Sequence, residues 1–326
     1  MRDFIADIRK PIEEDMKHFD ALFDDTLSYT EGTLAQALNH IRSRVGKRMR
    51  PMLAILIAKA YGEANEKTYR AGVGLELLHT ASLVHDDVVD RADKRRGQRS
   101  MNNIYDNRVA VLVGDYILST ALLNVSLTGN VRIMESMSRL GQTLSNGEIL
   151  QLTSNGSETI SEETYYEVIE QKTAALFEEA CVMGALSVEA TQDEIEAARM
   201  FGRKVGIIFQ IRDDIFDYFD SEKVGKPTGN DMAEGKLTLP AIHTILTAGD
   251  DEIMAIAQRV KSLSSTPEER AQLVEFVKQK GGIDYAKKVM HRLHDDALLF
   301  VNERVGDEAI KNSLTAYLDY CIERGL

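Results

Sequence analysis

The 326-residue chain has little of several things, and each shortage excludes something. Two cysteines, Cys181 and Cys321, are too few for a disulfide framework or a zinc ribbon. They fit a reducing compartment and read as small buried side chains. Five prolines are spread so that none falls in the 175 residues between Pro51 and Pro227, which favours long helices. The residues from Met1 to Asp20 are studded with charge and contain no apolar run of signal-peptide type. No run of about 18 apolar residues is evident, so no membrane span is predicted and a cytoplasmic location is expected. With 52 acidic against 39 basic residues the net charge is −13, which argues against nucleic-acid binding and against docking on anionic lipid.

Apolar residues recur at helical spacing. In Gly74–Arg91, Leu75, Leu78, Val84, Val88 and Val89 share a broad face, and Glu167–Ala190 reads the same way. Ser161 before Glu162 and Glu163 suits an N-cap with an acidic first turn. Thr266-Pro267-Glu268-Glu269 is a helix start, and Gly281-Gly282 separates two helical patterns. The runs Thr153–Ser161 and Lys223–Gly235 read as loops, and Pro51 as the start of a helix. No repeat or linker-like shift is visible, so one all-α domain over residues 1–326 is expected.

Adjacent aspartates occur five times. Two of the pairs, Asp86-Asp87 and Asp213-Asp214, carry a third aspartate three positions on, at Asp90 and Asp217. On a helix, positions i and i+4 stack on one face, so each motif gathers carboxylates at the end of an apolar helix. Like charges there repel, and neither motif has a Lys or Arg at i−4 to balance its third aspartate. A hard cation such as Mg²⁺ is the economical partner for carboxylates without His or Cys, and it keeps positions open for phosphate. Basic elements accompany them: Lys47, Arg48 and Arg50 before a helix, Arg95-Arg96-Gly97 after the first motif, then Lys172-Thr173, Lys226 and Lys236. Together they suggest two anion sites, one bridged by metal and one held by Lys and Arg.

With these elements in order, the chain resembles the trans-isoprenyl diphosphate synthases. The resemblance runs from about Gly46 to Pro240. It rests on Gly46-Lys47-Arg48-Met49-Arg50-Pro51, Glu76-Leu77-Leu78-His79-Thr80, the first aspartate motif and Gly114-Asp115-Tyr116. Gly147-Glu148-Ile149-Leu150-Gln151, Lys172-Thr173-Ala174 and Phe209-Gln210-Ile211-Arg212-Asp213-Asp214 match as well, as do Gly225-Lys226 and Glu234-Gly235-Lys236. Val45 and Gln98 stand where Gly and Pro are frequent, but neither departure removes a charged group.

The resemblance implies an isoprenoid synthase fold, with antiparallel helices around a deep central cavity, and a homodimer. It implies Mg²⁺, about three per site, held by Asp86, Asp90 and Asp213, with Asp87, Asp214 and Asp217 in support. Arg95, Lys172 and Lys236 would contact an allylic diphosphate, with Lys226 over it. Lys47, Arg50, His79 and Arg96 would hold isopentenyl diphosphate. Thr173, the Lys172 carbonyl and Gln210 would stabilise an allylic cation by their dipoles.

Farnesyl or geranylgeranyl products and a non-catalytic partner subunit are the alternatives to a long-chain synthase. Intact acid motifs argue against the subunit. A terpene cyclase would not need Lys47, Arg50 and His79, and a di-metal bundle would want Glu-x-x-His pairs that are missing. Small residues one turn before Asp86, Ala81 and Ser82, leave room for a growing chain and point to an octaprenyl-type product. Met134, Met137 and Leu144 are candidates to close the channel further down. Replacing Ala81 with Phe is expected to shorten the extracted lipid without abolishing turnover. An unchanged product distribution would contradict this channel.

Overall fold

A computed structural model describes residues 3–43, 46–95, 97–155, 159–219 and 229–324. The candidates Arg96 and Lys226 lie outside the described residues, as do residues 223–228 of the predicted Lys223–Gly235 loop. The helices in chain order are α1 (Phe4–Arg9), α2 (Glu13–Thr26), α3 (Gly32–Arg42), α4 (Met49–Tyr61), α5 (Glu66–Val89), α6 (Met101–Ile104), α7 (Asn107–Ser126), α8 (Val131–Asn155) and α9 (Glu162–Ile169). They continue as α10 (Ala175–Ser187), α11 (Gln192–Phe216), α12 (Asn230–Ala233), α13 (Leu239–Ala248), α14 (Asp251–Lys261), α15 (Pro267–Gln279), α16 (Gly282–Arg304) and α17 (Glu308–Glu323). A two-residue hairpin, β1 (Lys94–Arg95) with β2 (Gln98–Arg99), is the sole sheet among the described residues. Its turn holds Gly97 at φ +77°, a left-handed value that glycine adopts without a Cβ clash. The fold is all-α, as the sequence predicts.

The predicted punctuation is present. Ser161 Oγ accepts from the amides of Glu163 and Thr164, and Thr266 forms a reciprocal capping box with Glu269. Three readings need correction. Thr153–Asn155 continue α8 rather than forming a loop, and Asn230–Ala233 make the short helix α12. α4 begins at Met49, two residues before Pro51, after Arg48 at φ +54°. The strained Arg48 backbone is held by its side chain, whose guanidinium lies 3.9 Å from the Phe23 ring centre and pairs with Glu76 at 3.2 Å.

The chain packs as two compact units. The first comprises residues 1–141, 176–202 and 300–317; the second comprises 142–175, 203–299 and 318–326. In the first, Pro51–Ala58 of α4 are buried all round, as an evenly apolar helix must be, and α5 packs against α7, α4 and α2. Cys181 is buried in this unit and Cys321 in the other, both matching expectation. Burial pushes the Cys321 thiol up to about 12. In the second unit, α13 packs on α15, α14 and α9.

One helix departs from the sequence reading. Asn107–Ser126 (α7) reaches a mean hydropathy of 1.6, long and apolar enough to cross a membrane by length and composition. The expectation that no segment qualifies therefore fails on that measure. A core helix passes the same test, and α7 packs along α5, with Gly114 directly against the His85 ring.

Candidate active site

The helical path that starts at Glu162 is interrupted within the second unit, at Glu170–Ala174, by one π-helical turn, and that turn carries Lys172 and Thr173. Such a turn widens the ring of backbone hydrogen bonds and is common at functional sites. Two glycines let neighbouring helices close on it. A Cβ at Gly147 of α8 would stand 2.7 Å from Gln171 Cβ, and one at Gly206 of α11 would stand 2.9 Å from Ala174 Cβ. A side chain at either position would push α8 or α11 off the turn.

A line of side-chain hydrogen bonds then joins the turn to the second aspartate motif. Thr173 Oγ1 donates to Gln210 Oε1 at 2.7 Å, and Gln210 Nε2 donates to Asp214 Oδ1 at 2.8 Å. Tyr165 Oη of α9 donates to Asp214 Oδ2 at 2.5 Å. Asp214 is buried, and burial, followed by the nearby Asp231 carboxylate, pushes its carboxyl up to about 8. The bonds from Tyr165 and Gln210 favour the ionised form, but the loss of hydration outweighs them. Asp214 therefore stands neutral at pH 7.

These groups line a cavity of about 280 Å³ in the same unit, together with Lys236 and Lys261. Its apolar wall includes Val168, Ile169, Leu237 and Ile242. Lys172 pairs with Glu148 and donates to Gln151 at 2.8 Å, while Lys236 pairs with Glu234 at 2.6 Å. Five sequence-predicted residues, Lys172, Thr173, Gln210, Asp214 and Lys236, thus meet at one cavity. Sequence reasoning missed Tyr165 and Lys261.

The other two aspartates of the motif are engaged differently. Asp217 accepts from the amides of Asn230 and Asp231 and so caps α12. Asp213 is exposed, yet Arg324 pairs with it at 2.7 Å; Arg324 also stacks 3.5 Å from the Phe209 ring centre and donates to the Phe209 carbonyl. A balancing cation does reach this motif, from the end of α17, where a search of neighbouring positions could not find it.

In the first unit, Asp87 is buried and accepts from Arg95 Nε at 2.6 Å, so a cation reaches this motif too, from β1. Asp86 lies in the last turn of α5 and Asp90 is its C-cap, Asp86 half-buried and Asp90 exposed. Lys47 is exposed before α4 and His79 is half-buried on α5. Arg50 lies 4.8 Å over the Phe177 ring. Ala81 is 1% exposed, and Ser82 donates to the His79 carbonyl. Of the proposed channel closers, Met137 is buried, Met134 is exposed and Leu144, in the second unit, is half-buried.

Among the described residues no three His, Cys, Asp or Glu converge as a ready-made metal cluster. Asp86 and Asp90 keep solvent access in the first unit, and Asp213, paired with Arg324, keeps it in the second. Carboxylate oxygens without His or Cys suit Mg²⁺ rather than zinc.

Asp214 sets a pH dependence. Its folded value of about 8 exceeds the ordinary 3.8, so the folded chain binds the proton more tightly and stability falls as pH rises from about 4 to about 8. In metal-free protein the urea midpoint of Asp214→Asn is expected to fall less than that of wild type between about pH 5 and pH 8. Parallel curves would contradict the assignment.

The polyprenyl synthetase family model matches residues 31–277. The chain is 38% identical to the octaprenyl diphosphate synthase of Escherichia coli over 71% of this chain and 72% of the relative. It is 32% identical to heptaprenyl diphosphate synthase component 2 of Geobacillus stearothermophilus, over 91% and 90%. The crystal structure of a geranylgeranyl pyrophosphate synthase from Bacteroides thetaiotaomicron superposes with a TM-score of 0.87 at 44% identity, covering 99% of this chain and 100% of that one. The matched family, the shared fold and the convergence of Lys172, Thr173, Gln210 and Lys236 agree: this chain belongs to the polyprenyl synthetase family and is a prenyltransferase, a trans-prenyl diphosphate synthase.

Proposed function

We propose that the chain is a long-chain all-trans polyprenyl diphosphate synthase. It would lengthen an allylic diphosphate such as farnesyl diphosphate by repeated condensation with isopentenyl diphosphate. The octaprenyl type suits a quinone side chain, with the whole chain serving one activity in the cytoplasm. The observation that carries the chemistry is the cavity where lysines, a threonine hydroxyl and the half-buried Gln210 amide converge beside the buried Asp214 carboxyl. Ala81 and Ser82 carry the length.

Each residue has a task in that reaction. Lys172 and Lys236 hold the allylic diphosphate through charge-assisted hydrogen bonds, with Arg95 and Lys226 added by the resemblance. Lys47, Arg50, His79 and Arg96 hold isopentenyl diphosphate. Asp86, Asp90 and Asp213 would hold Mg²⁺, which when bound neutralises charge on the departing diphosphate. As the C–O bond breaks, the bonding pair leaves with the diphosphate and the allylic carbon becomes cationic. The Thr173 and Gln210 oxygens and the Lys172 carbonyl turn negative dipole ends toward that charge. Gln210 can do so because its amide N–H is committed to Asp214. The apolar wall excludes water, so the double bond of isopentenyl diphosphate attacks instead. The new C–C bond forms, and the proton lost passes to the released diphosphate.

A shorter product is the second reading, favoured by the 44% identity to the Bacteroides geranylgeranyl pyrophosphate synthase. One assay separates them. Wild type incubated with farnesyl diphosphate, labelled isopentenyl diphosphate and Mg²⁺ is expected to yield lipid near the octaprenyl length. Lipid stopping at geranylgeranyl would favour the second reading. Asp86→Ala and Asp213→Ala are expected to lower kcat by at least about a hundredfold, as loss of a transition-state stabilising group does.

We also propose a homodimer through α7, whose Leu112, Leu122 and Leu123 are 67%, 46% and 56% exposed at helical spacing. Sedimentation of the double variant Leu112→Asp/Leu123→Asp is expected to give a monomer where wild type gives a dimer. A wild-type monomer that gains activity only with a second polypeptide would instead match the component naming of the Geobacillus relative.

A further inference from the structure

Three lysines line the cavity of the second unit, and their charges are balanced unequally. Lys172 has Glu148 and Lys236 has Glu234. Lys261, the last residue of α14, has no carboxylate partner among the described residues; its ammonium donates to the Thr159 carbonyl at 2.5 Å. An ammonium carries three donors, so one carbonyl leaves it with capacity for a further acceptor. The side chain is half-buried, and burial lowers its pKa with no neighbouring charge to offset the loss of hydration. A cation held this way is stabilised most by an anion that enters the cavity.

Local packing brings α14 to the segment that carries Lys236. Gly235 sits at φ +78°, and a Cβ on it would lie 3.0 Å from Leu263 Cδ2 and 3.4 Å from the Val260 carbonyl. The end of α14 therefore abuts the residue preceding Lys236. Three lysines and two carboxylates, Asp214 and Asp231, line the cavity, and Asp214 is already engaged by Tyr165 and Gln210.

We infer that Lys261 is a third lysine contact for the diphosphate of the allylic substrate and for the inorganic diphosphate released from it. The inference rests on the proposed reaction and adds to it a residue outside the motifs of the resemblance. In the sequence, Lys261 reads as an ordinary basic residue in the last turn of a helix, where the helix dipole alone would favour it.

Steady-state kinetics of Lys261→Met and Lys261→Arg with farnesyl and isopentenyl diphosphates test the inference. Lys261→Met is expected to raise the KM for the allylic diphosphate about tenfold, the loss of one charge-assisted hydrogen bond. The KM for isopentenyl diphosphate should stay within about twofold and Lys261→Arg should keep most of the affinity. An unchanged allylic KM would overturn the inference, and so would an equal rise in both KM values, which would mark a structural role. A footprint on wild type covers the case of a variant that does not fold. Inorganic diphosphate with Mg²⁺ is expected to protect Lys261 from acetylation, read by mass spectrometry, and equal labelling with and without it would overturn the inference. A wild type without prenyl transfer would sink the proposed reaction separately, leaving the footprint to decide whether Lys261 binds diphosphate.

Discussion

A buried, neutral carboxyl at Asp214 is the tie on which the rest of the cavity depends. It accepts from Tyr165 on α9 and from Gln210 on α11, and through Gln210 it reaches Thr173 on the π-helical turn. Two segments distant in sequence, α11 and the path of α9 with its π-helical turn, are thereby held in one register. The bond to Asp214 fixes which end of the Gln210 amide faces which neighbour, leaving its oxygen toward Thr173. A charged Asp214 in the same place would carry the cost of an incompletely compensated buried ion. Keeping it neutral removes that cost while preserving its capacity to accept hydrogen bonds.

Charge counted by place resolves the apparent conflict between an acidic chain and acidic substrates. By formal charge the six motif aspartates and the seven predicted cations leave the candidate residues at plus one, or plus two with Asp214 neutral, and the remainder of the chain at minus fourteen. Within each unit several of these charges are paired: Asp87 with Arg95, Asp213 with Arg324, Lys172 with Glu148, Lys236 with Glu234. Such pairs hold long side chains in place at little net electrostatic gain. They also give a diphosphate cations that can exchange one anionic partner for another.

Much of this was legible in the sequence because it follows local rules. The proline-free stretch, the Ser161 and Thr266 caps and the i,i+4 aspartates each act within a turn or two of helix, and the helices appear accordingly. What was not legible arises between segments distant in sequence. The π-helical turn has no local signature; it coincides with close approaches permitted by Gly147 and Gly206, on helices before and after it. No local pattern singles out Tyr165, whose hydroxyl reaches Asp214 from 49 positions away. Arg324 lies far along the chain from the aspartate it pairs with. The polar Thr153–Asn155 stay helical because α8 continues through them, where composition alone suggested a loop.

The protonation of Asp214 can be observed directly. Isotope-edited infrared spectra of metal-free protein with labelled aspartate, taken as wild type minus Asp214→Asn, isolate this one carboxyl. The account predicts the carbonyl band of a neutral carboxylic acid at pH 6, lost as the pH passes about 8. A carboxylate signal from Asp214 already present at pH 6 would contradict it.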